Sequence, residues 1–258
     1  MAVAATSRGA RLPHGDAAPP PQSRGAPALE LARFELAAMR REFVEQGAFI
    51  ARQEFLPPAA TATLIAAAEA LGPQVHRNYL PGHKQGGSIS RHVIDERAPA
   101  IAELYRSPEL VGWLSAIAGE PVQISPPDDP HAYALYYYTR PGDHIGWHYD
   151  SSYYRGRRYT VLLGLIDRSS CRLDYELHTR EPGAAVIAGS TQIAPGGFVF
   201  FDGDKLRHRI TPLEEGGRRV SLTFEYVTDP SMHPWRRVIS NFKDAVAYFG
   251  LSQVFGKR

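Results

Sequence analysis

The sequence predicts a mostly β protein: a jelly-roll core with a layer of helices in front. Three observations predict it. From about residue 28 to 120 the apolar residues recur with helical period. After Glu120 the texture changes to short apolar runs divided by Pro, Gly and Asp, the pattern of a sandwich or barrel. The length, 258 residues, fits one decorated domain or two small ones, and there is no internal repeat.

Residues 1–27, "MAVAATSRGARLPHGDAAPPPQSRGAP", are rich in Ala, Pro, Gly and Arg and lack a hydrophobic leader core, so they read as a disordered tail. Asp16 and the proline cluster argue against a transit peptide. "ALELARFELAAMRREFVEQG" reads as a helix with Leu29, Phe34, Leu36, Met39 and Phe43 on one face, ended by Gly47. "AFIARQEFLP" is a short strand. "PAATATLIAAAEALG" is a second helix, closed by Gly72 and Pro73. "PQVHRNYLPGHKQGGSISRHVIDE" reads as irregular, and its stretch from His76 to His92 is expected to form a mobile lid hinged on Gly82, Gly86 and Gly87. A third helix, "APAIAELYRSPELVGWLSAIAGE", breaks near Pro108. The strands then follow: "VQIS", "AYALYYYT", "IGWHYD", "RYTVLLGLI", "RLDYEL", "AAVIAG", "GGFVFFDG", "HRITPL" and "RRVSLTFEYV". "PWRRVISNFKDAVAYFG" reads as a last helix. The expected organisation is one domain over 28–258: a helical layer and substrate lid (28–120), the jelly-roll core (121–228) and a C-terminal helix (229–258).

Composition narrows the classes. Net charge is only +2 and the basic residues are interspersed with acids, which argues against a nucleic-acid surface. The single cysteine, Cys171, excludes an internal disulfide and any Cys-rich metal site, fits a reducing cytoplasm, and reads as a small buried residue. No run approaches the ~18 apolar residues of a membrane span.

"IGWHYD" sets His148 and Asp150 two apart on a strand, so an imidazole and a carboxylate share one face. Alone, His-x-Asp is a weak signal. His208 is the best third ligand, because it follows the apolar run "GGFVFFDGD" and precedes a Gly turn and the strand "RRVSLTFEY". His83, His131, His144 and His178 compete, but none has that setting. Two His and one carboxylate fill one face of an octahedral metal and leave the other open. An arginine about one strand later can grip a carboxylate with two N–H groups.

Taken together, Tyr138-x-x-Pro-Gly, His148-x-Asp150, "RYTVLLGL" and "GGFVFFDG…His208-x-x-x-Pro212…Gly217-x-Arg219-x-Ser-Leu-Thr-Phe" resemble the iron(II)- and 2-oxoglutarate-dependent dioxygenases, over about residues 133 to 228. The resemblance implies a double-stranded β-helix, a distorted, cupin-like jelly roll. It also implies Fe(II) on His148, Asp150 and His208, with 2-oxoglutarate and O2 as co-substrates. "HKQGGSIS" and "PDDPHAYALYYYTRPGDHIGWHYD" further resemble small free-standing oxygenases of polar amino acids, a group that includes radical halogenases. Those halogenases have Gly or Ala where Asp150 stands, so the resemblance implies hydroxylation, desaturation or cyclisation instead.

Family strands of this type place the 2-oxoglutarate arginine at the position of Arg219. Strand parity puts Arg219, Ser221, Thr223 and Glu225 on one face, with Val220, Leu222 and Phe224 against an outer layer, and turns Arg218 away. Tyr138 is expected to hydrogen-bond 2-oxoglutarate by resemblance, with Thr160 and Trp147 considered beside it. Trp147 should face away from the metal into a core. Arg77, His83 and Lys84 on the lid, with His131, Thr223 and Glu225, are the expected substrate contacts; Asp143 and Trp235 are weaker candidates. Glu225, an acid pointing inward, should want a cation. The expected partner is a small cationic or zwitterionic metabolite, such as a free amino acid or derivative in specialised metabolism. The expected setting is cytoplasmic, with the oligomeric state open. Two alternatives stand: a nucleotide- or nucleic-acid-directed dioxygenase, hinted at by "SSYYRGRR", and a non-redox zinc jelly roll. A module with a vestigial motif is a third.

Overall fold

The structure, a computed structural model, describes residues 25–231. Most of the expected tail and the whole helix expected from Pro234 lie outside the described residues. The helices are α1 (Leu36–Glu45), α2 (Pro58–Leu71), α3 (Arg91–Arg97), α4 (Pro99–Arg106) and α5 (Pro108–Ala118). The strands are β1 (Phe49–Arg52), β2 (His76–Leu80), β3 (Lys84–Ser90), β4 (Gln123–Ile124), β5 (Tyr133–Tyr138) and β6 (His144–His148). They continue with β7 (Arg158–Arg168), β8 (Leu173–Leu177), β9 (Ile187–Thr191), β10 (Phe198–Asp202), β11 (Arg207–Ile210) and β12 (Arg218–Val227).

Local chemistry sets the helix ends. Pro58, Pro99 and Pro108 open α2, α4 and α5, where a missing N–H costs nothing. The Ser107 hydroxyl accepts from Leu110 N–H, so the predicted break at Pro108 is a cap followed by a proline start. Helix α1 begins later than its periodicity suggests, where the Glu35 carboxylate accepts from the N–H groups of Ala37 and Ala38. Met39 and Phe43 are buried, but Leu36 is exposed, so the predicted face is only partly used.

The strands run in the order β1-β10-β7-β12-β5-β3-β6-β11-β8-β9, with β2 on β3 and β4 on β12, and every pairing is antiparallel. Alternation divides the side chains between two cores. Tyr133, Leu135 and Tyr137 of β5, Val161, Leu163 and Leu165 of β7, Phe198 and Phe200 of β10, and Val220, Leu222 and Phe224 of β12 pack with the helices. The intervening residues Tyr138, Leu162, Val199 and Phe201 join Leu173, Leu177 and Ile210 in an inner core. The outer packing expected for Val220, Leu222 and Phe224 is therefore present.

The expected irregular lid is instead regular structure. Strands β2 and β3 form a hairpin, and β3 pairs with β5 through Gly87–Ser90 and with β6 through Lys84 and Gln85. It joins the two halves of the jelly roll. Gly87 serves close packing: a Cβ there would lie 2.4 Å from Val75 Cγ1 and 3.3 Å from Tyr137 Cβ, while Gly82, at φ +70°, makes the hairpin turn. Helix α3 follows directly where no element was expected.

Gly164 on β7 shows the same constraint more sharply. An added Cβ would meet the backbone oxygens of Ala194 and Ile193 at 2.2 and 2.5 Å, and its own N–H and C=O bond to Gly197 and Gly196. Gly164→Ala is expected to destabilise by about 1–3 kcal/mol, since backbone cannot give way as a side chain would. Gly112→Ala, in α5 with nothing within 4 Å, is expected to stabilise by about 0.5–1 kcal/mol. Urea unfolding of both variants checks the pair.

Candidate metal centre

Strand β6 ends at His148, and Asp150 follows two residues on. Strand β11 carries His208, which pairs directly opposite His148 across the β6–β11 ladder. The three side chains meet: His148 Nε2 lies 3.4 Å from Asp150 Oδ1, and His208 Nε2 lies 3.7 Å from Asp150 Oδ2. All three ligand atoms fall within 4.8 Å of one another. Each ring has its Nδ1 against a backbone oxygen, His148 on Gly146 at 2.8 Å and His208 on Leu206 at 3.3 Å. A carbonyl oxygen can only accept, so the proton sits on Nδ1 and each Nε2 lone pair is free to ligate.

Charge agrees with that geometry. Burial and the neighbouring His148 lower the His208 pKa to about 4, leaving a neutral imidazole at neutral pH. Burial opposes the charge on Asp150, but His208, His148 and Arg158 outweigh it and hold the carboxyl below the usual range. The Thr160 hydroxyl, on β7, lies 2.9 Å from Asp150 Oδ2 and can donate to it. Two imidazoles presenting Nε2 and one ionised, hydrogen-bonded carboxylate suit a divalent metal.

The cluster opens into a cavity of about 370 Å³. Arg219, Ser221, Thr223 and Glu225 all line it, as their shared parity requires. Arg218 turns outward to Glu69 at 3.0 Å. Arg219 is buried, with its guanidinium 5.4 Å from the centre of the Tyr138 ring, and its Nη1 has no hydrogen-bond partner. A buried guanidinium N–H without an acceptor, in the same cavity as the His148–Asp150–His208 cluster, is suited to a carboxylate. Tyr138 lines the cavity beneath it.

Glu225 does have a cation, but an internal one. Arg158 Nε donates to Glu225 Oε2 at 3.0 Å, and Arg158 Nη2 lies 3.6 Å from Asp129 Oδ2. Asp129 accepts from the Tyr154 hydroxyl and the His131 N–H, each at 2.8 Å. Burial outweighs the attraction of Arg158 and pushes the Glu225 pKa up to about 8. Sequence reasoning missed Arg158 and Asp129. Parity along "RYTVLL" could have found the first, since Arg158, Thr160 and Leu162 share a face and all but Thr160 line the cavity directly.

The other expected substrate contacts divide. His83, at the hairpin tip, lines the cavity with its ring edge-on to His148 at 5.8 Å, and His131 lines it too. Arg77 does not: it grips Asp143 with both Nη groups, and Asp143 also accepts from the N–H groups of Thr139 and Arg140. Both residues hold a turn rather than a substrate. Lys84 is also a correction: it is buried within β3, 4.5 Å from the Tyr136 ring, and burial lowers its pKa to about 7. Trp147 does not line the cavity, as expected, but it lies against Arg207 and Arg209 at 4.8 and 4.9 Å instead of in a core. Cys171 is buried, with its thiol pKa raised by that burial. Trp235 lies outside the described residues.

Comparison with known proteins follows the same line. A family described as "HalD: Halogenase D" matches residues 32–155, just under half of the chain and including His148 and Asp150. No curated protein matches by sequence. AviO1 from Streptomyces viridochromogenes Tue57 superposes with a TM-score of 0.58 and 21% identity, covering 78% of this chain and 97% of its own. A Pseudomonas putida prolyl-4-hydroxylase gives 0.57 and 18%, covering 75% and 98%. The epimerase SnoN, in complex with Fe3+, alpha ketoglutarate and nogalamycin RO, gives 0.60 and 12%, covering 75% and 83%. The fold is thus that of the 2-oxoglutarate-dependent iron oxygenases, as expected. Among the described residues no helix is long and apolar enough to cross a membrane.

Two outcomes follow from the buried pairs. Arg77→Ala leaves Asp143, whose side chain is fully buried, without its cation, while Arg77 itself keeps 27% exposure. Urea unfolding should show a loss of up to about 3 kcal/mol, the low end for breaking such a pair. Glu225 binds a proton in the folded state up to about pH 8 that the unfolded chain gives up near its ordinary 4.5. Stability should therefore fall as pH rises through that window, and Glu225→Gln should lose that part of the slope. Metal-free unfolding at a series of pH values checks the sign.

Proposed function

We propose that this protein is an iron(II)- and 2-oxoglutarate-dependent oxygenase that oxidises an unactivated C–H bond of a small polar metabolite, a free amino acid or a derivative in specialised metabolism. The observation that carries the reading is the buried Arg219 guanidinium, with Nη1 unpaired, in the same cavity as His148, Asp150 and His208. A zinc hydrolase has no use for that second feature.

In this reading His148 Nε2, Asp150 and His208 Nε2 hold Fe(II), and Arg219, steadied by the Tyr138 ring, holds the far carboxylate of 2-oxoglutarate. When bound, iron and 2-oxoglutarate supply the oxygen-activating chemistry. The chain's own part is to bind and orient. Thr160 fixes one oxygen of Asp150, and the carbonyls of Gly146 and Leu206 fix the two rings. Thr223, Glu225, His83 and His131 surround the space left for substrate. Asp150 fills the position that is Gly or Ala in the halogenases, which favours hydroxylation, desaturation or cyclisation over halogenation even though the matching family is a halogenase.

The cavity's size supports a metabolite over a macromolecule, since about 370 Å³ lies near the low end of ligand sites. The basic run "RGRR" is also no free patch: Arg157 pairs with Glu120 at 2.9 Å and Arg158 is buried.

Anaerobic addition of Fe(II) and 2-oxoglutarate should produce a weak visible charge-transfer band, absent with zinc. In Arg219→Ala the 2-oxoglutarate concentration needed should rise roughly 10- to 100-fold, the worth of hydrogen bonds to a charged group. A full band at unchanged affinity in that variant would remove Arg219 from the site.

A further inference from the structure

We propose that Trp147 is a positioning residue for the metal centre: held against Arg207 and Arg209, it fixes a bulge in β6 that aims the His148 imidazole into the cluster. The inference rests on the reading of His148, Asp150 and His208 as metal ligands, and it holds for any divalent metal seated there.

Three observations carry it. First, β6 does not run regularly into His148. His208 of β11 faces His148 and Ile210 faces Ile145, so two steps on β11 match three on β6. Gly146 and Trp147 together oppose Arg209, which is a β-bulge. In a regular strand residues 145 and 148 would point to opposite faces. With the bulge, Ile145 and His148 both line the cavity. The bulged backbone is used as well: Gly146 N–H donates to His83 O at 2.6 Å, and Gly146 O accepts from His148 Nδ1 at 2.8 Å.

Second, a row of side chains holds the extra residue away from the cavity. The guanidinium groups of Arg207 and Arg209 lie 4.8 and 4.9 Å from the centre of the Trp147 ring. Both arginines are themselves tied down. Arg207 pairs with Glu176 at 2.6 Å and Arg209 with Asp174 at 2.9 Å, each opposite its acid in the β11–β8 register. Asp174 also accepts from the Ser190 hydroxyl on β9 at 2.6 Å. The row thus runs from Trp147 on β6 across β11 and β8 to β9.

Third, the residue after His148 is held in the same manner, so the imidazole is aimed from both sides. The Arg180 guanidinium lies 3.7 Å from the centre of the Tyr149 ring, and the Tyr149 hydroxyl donates to Thr179 Oγ1 at 2.9 Å. Arg180 Nη1 donates in turn to Asp204 O at 2.7 Å. His148 needs such support more than its partner does. Its side chain keeps 18% exposure against 5% for His208, so close packing alone does not fix the ring. What fixes it is the carbonyl of Gly146, which stands where the bulge puts it.

The test uses the full chain, freed of metal and titrated with Co(II), whose visible bands report binding without turnover. Trp147→Ala should raise the Co(II) Kd about tenfold, the scale for losing a group that orients a metal ligand, while Trp147→Phe, which keeps a ring for the arginines, should stay within about threefold. The double variant Arg207→Gln, Arg209→Gln should raise the Kd about threefold through loss of both ring contacts. Proton–nitrogen spectra of the metal-free protein at alkaline pH should show the Nδ1–H form of His148 in the unaltered chain and both tautomers in Trp147→Ala. A residue that only stabilises the fold would lower the urea midpoint and leave the Kd and the tautomer where they were. That result, an unchanged Kd in the double variant, or a phenylalanine no better than alanine would overturn the proposal. Should Trp147→Ala not fold, the double variant decides alone, since its two side chains are partly exposed and their loss leaves the core intact. If the unaltered protein binds no Co(II), the metal-centre reading fails and this proposal with it; if it binds and the variants bind as tightly, only this proposal fails.

Discussion

The pairing of His208 with His148 across the β6–β11 ladder is the contact around which the rest of the structure is arranged. The two residues are sixty positions apart in the chain, and only a fixed register brings their rings together. A slip of one residue would turn either ring to the opposite face. The surroundings of β6 restrain that register. The buried Asp143, gripped by Arg77, holds the N–H groups of Thr139 and Arg140 in the turn that feeds the strand. Strand β3 pairs with it through Lys84 and Gln85, and Gly146 N–H donates to His83 O at 2.6 Å. Groups outside the cluster thus decide where His148, Asp150 and His208 stand.

Polar residues on the inner faces of β7 and β12 would be costly to bury in an ordinary core. Here the reverse face of each strand offsets them. Val161, Leu163 and Leu165 alternate with Thr160 and Leu162, and Val220, Leu222 and Phe224 with Arg219, Ser221, Thr223 and Glu225. The helical layer covers the apolar set, so the strands are held from outside while their inner face remains chemically usable. The inner groups are nearly all tied to one another, from Asp150 through Thr160, Glu225 and Arg158 to Asp129 and Tyr154. Such a chain fixes side-chain positions within a cavity that must also admit ligands.

The relatives in shape illustrate how little the fold specifies about outcome. A hydroxylase and an epimerase share it at 18% and 12% identity with this chain. Function therefore has to be sought in the site and not in the fold. In this chain Arg158, Glu225, Thr223, His83 and His131 line the cavity that also holds the His148–Asp150–His208 cluster.

Local pattern alone determined the helical first half, the strands from β5 onward, the break at Pro108 and the face shared by Arg219, Ser221, Thr223 and Glu225. Those features follow from alternation and from proline and glycine chemistry, which act over a few residues. Alternation put His148 and Asp150 on one face and the strand setting singled out His208, but periodicity says nothing about which strands meet, so the meeting of all three rested on resemblance until the β6–β11 register showed it. Tertiary structure decided the rest. Strand β3 looked like a flexible loop because "KQGGSIS" has no apolar alternation; it is a strand because β5 and β6 supply its hydrogen bonds and its glycines let them approach. Arg77 and Lys84 looked like free cations, and Glu225 like a lone acid. Partners far away in sequence, Asp143, Tyr136 and Arg158, changed each reading, because the fate of a buried charge depends on what the fold sets within a few ångströms of it.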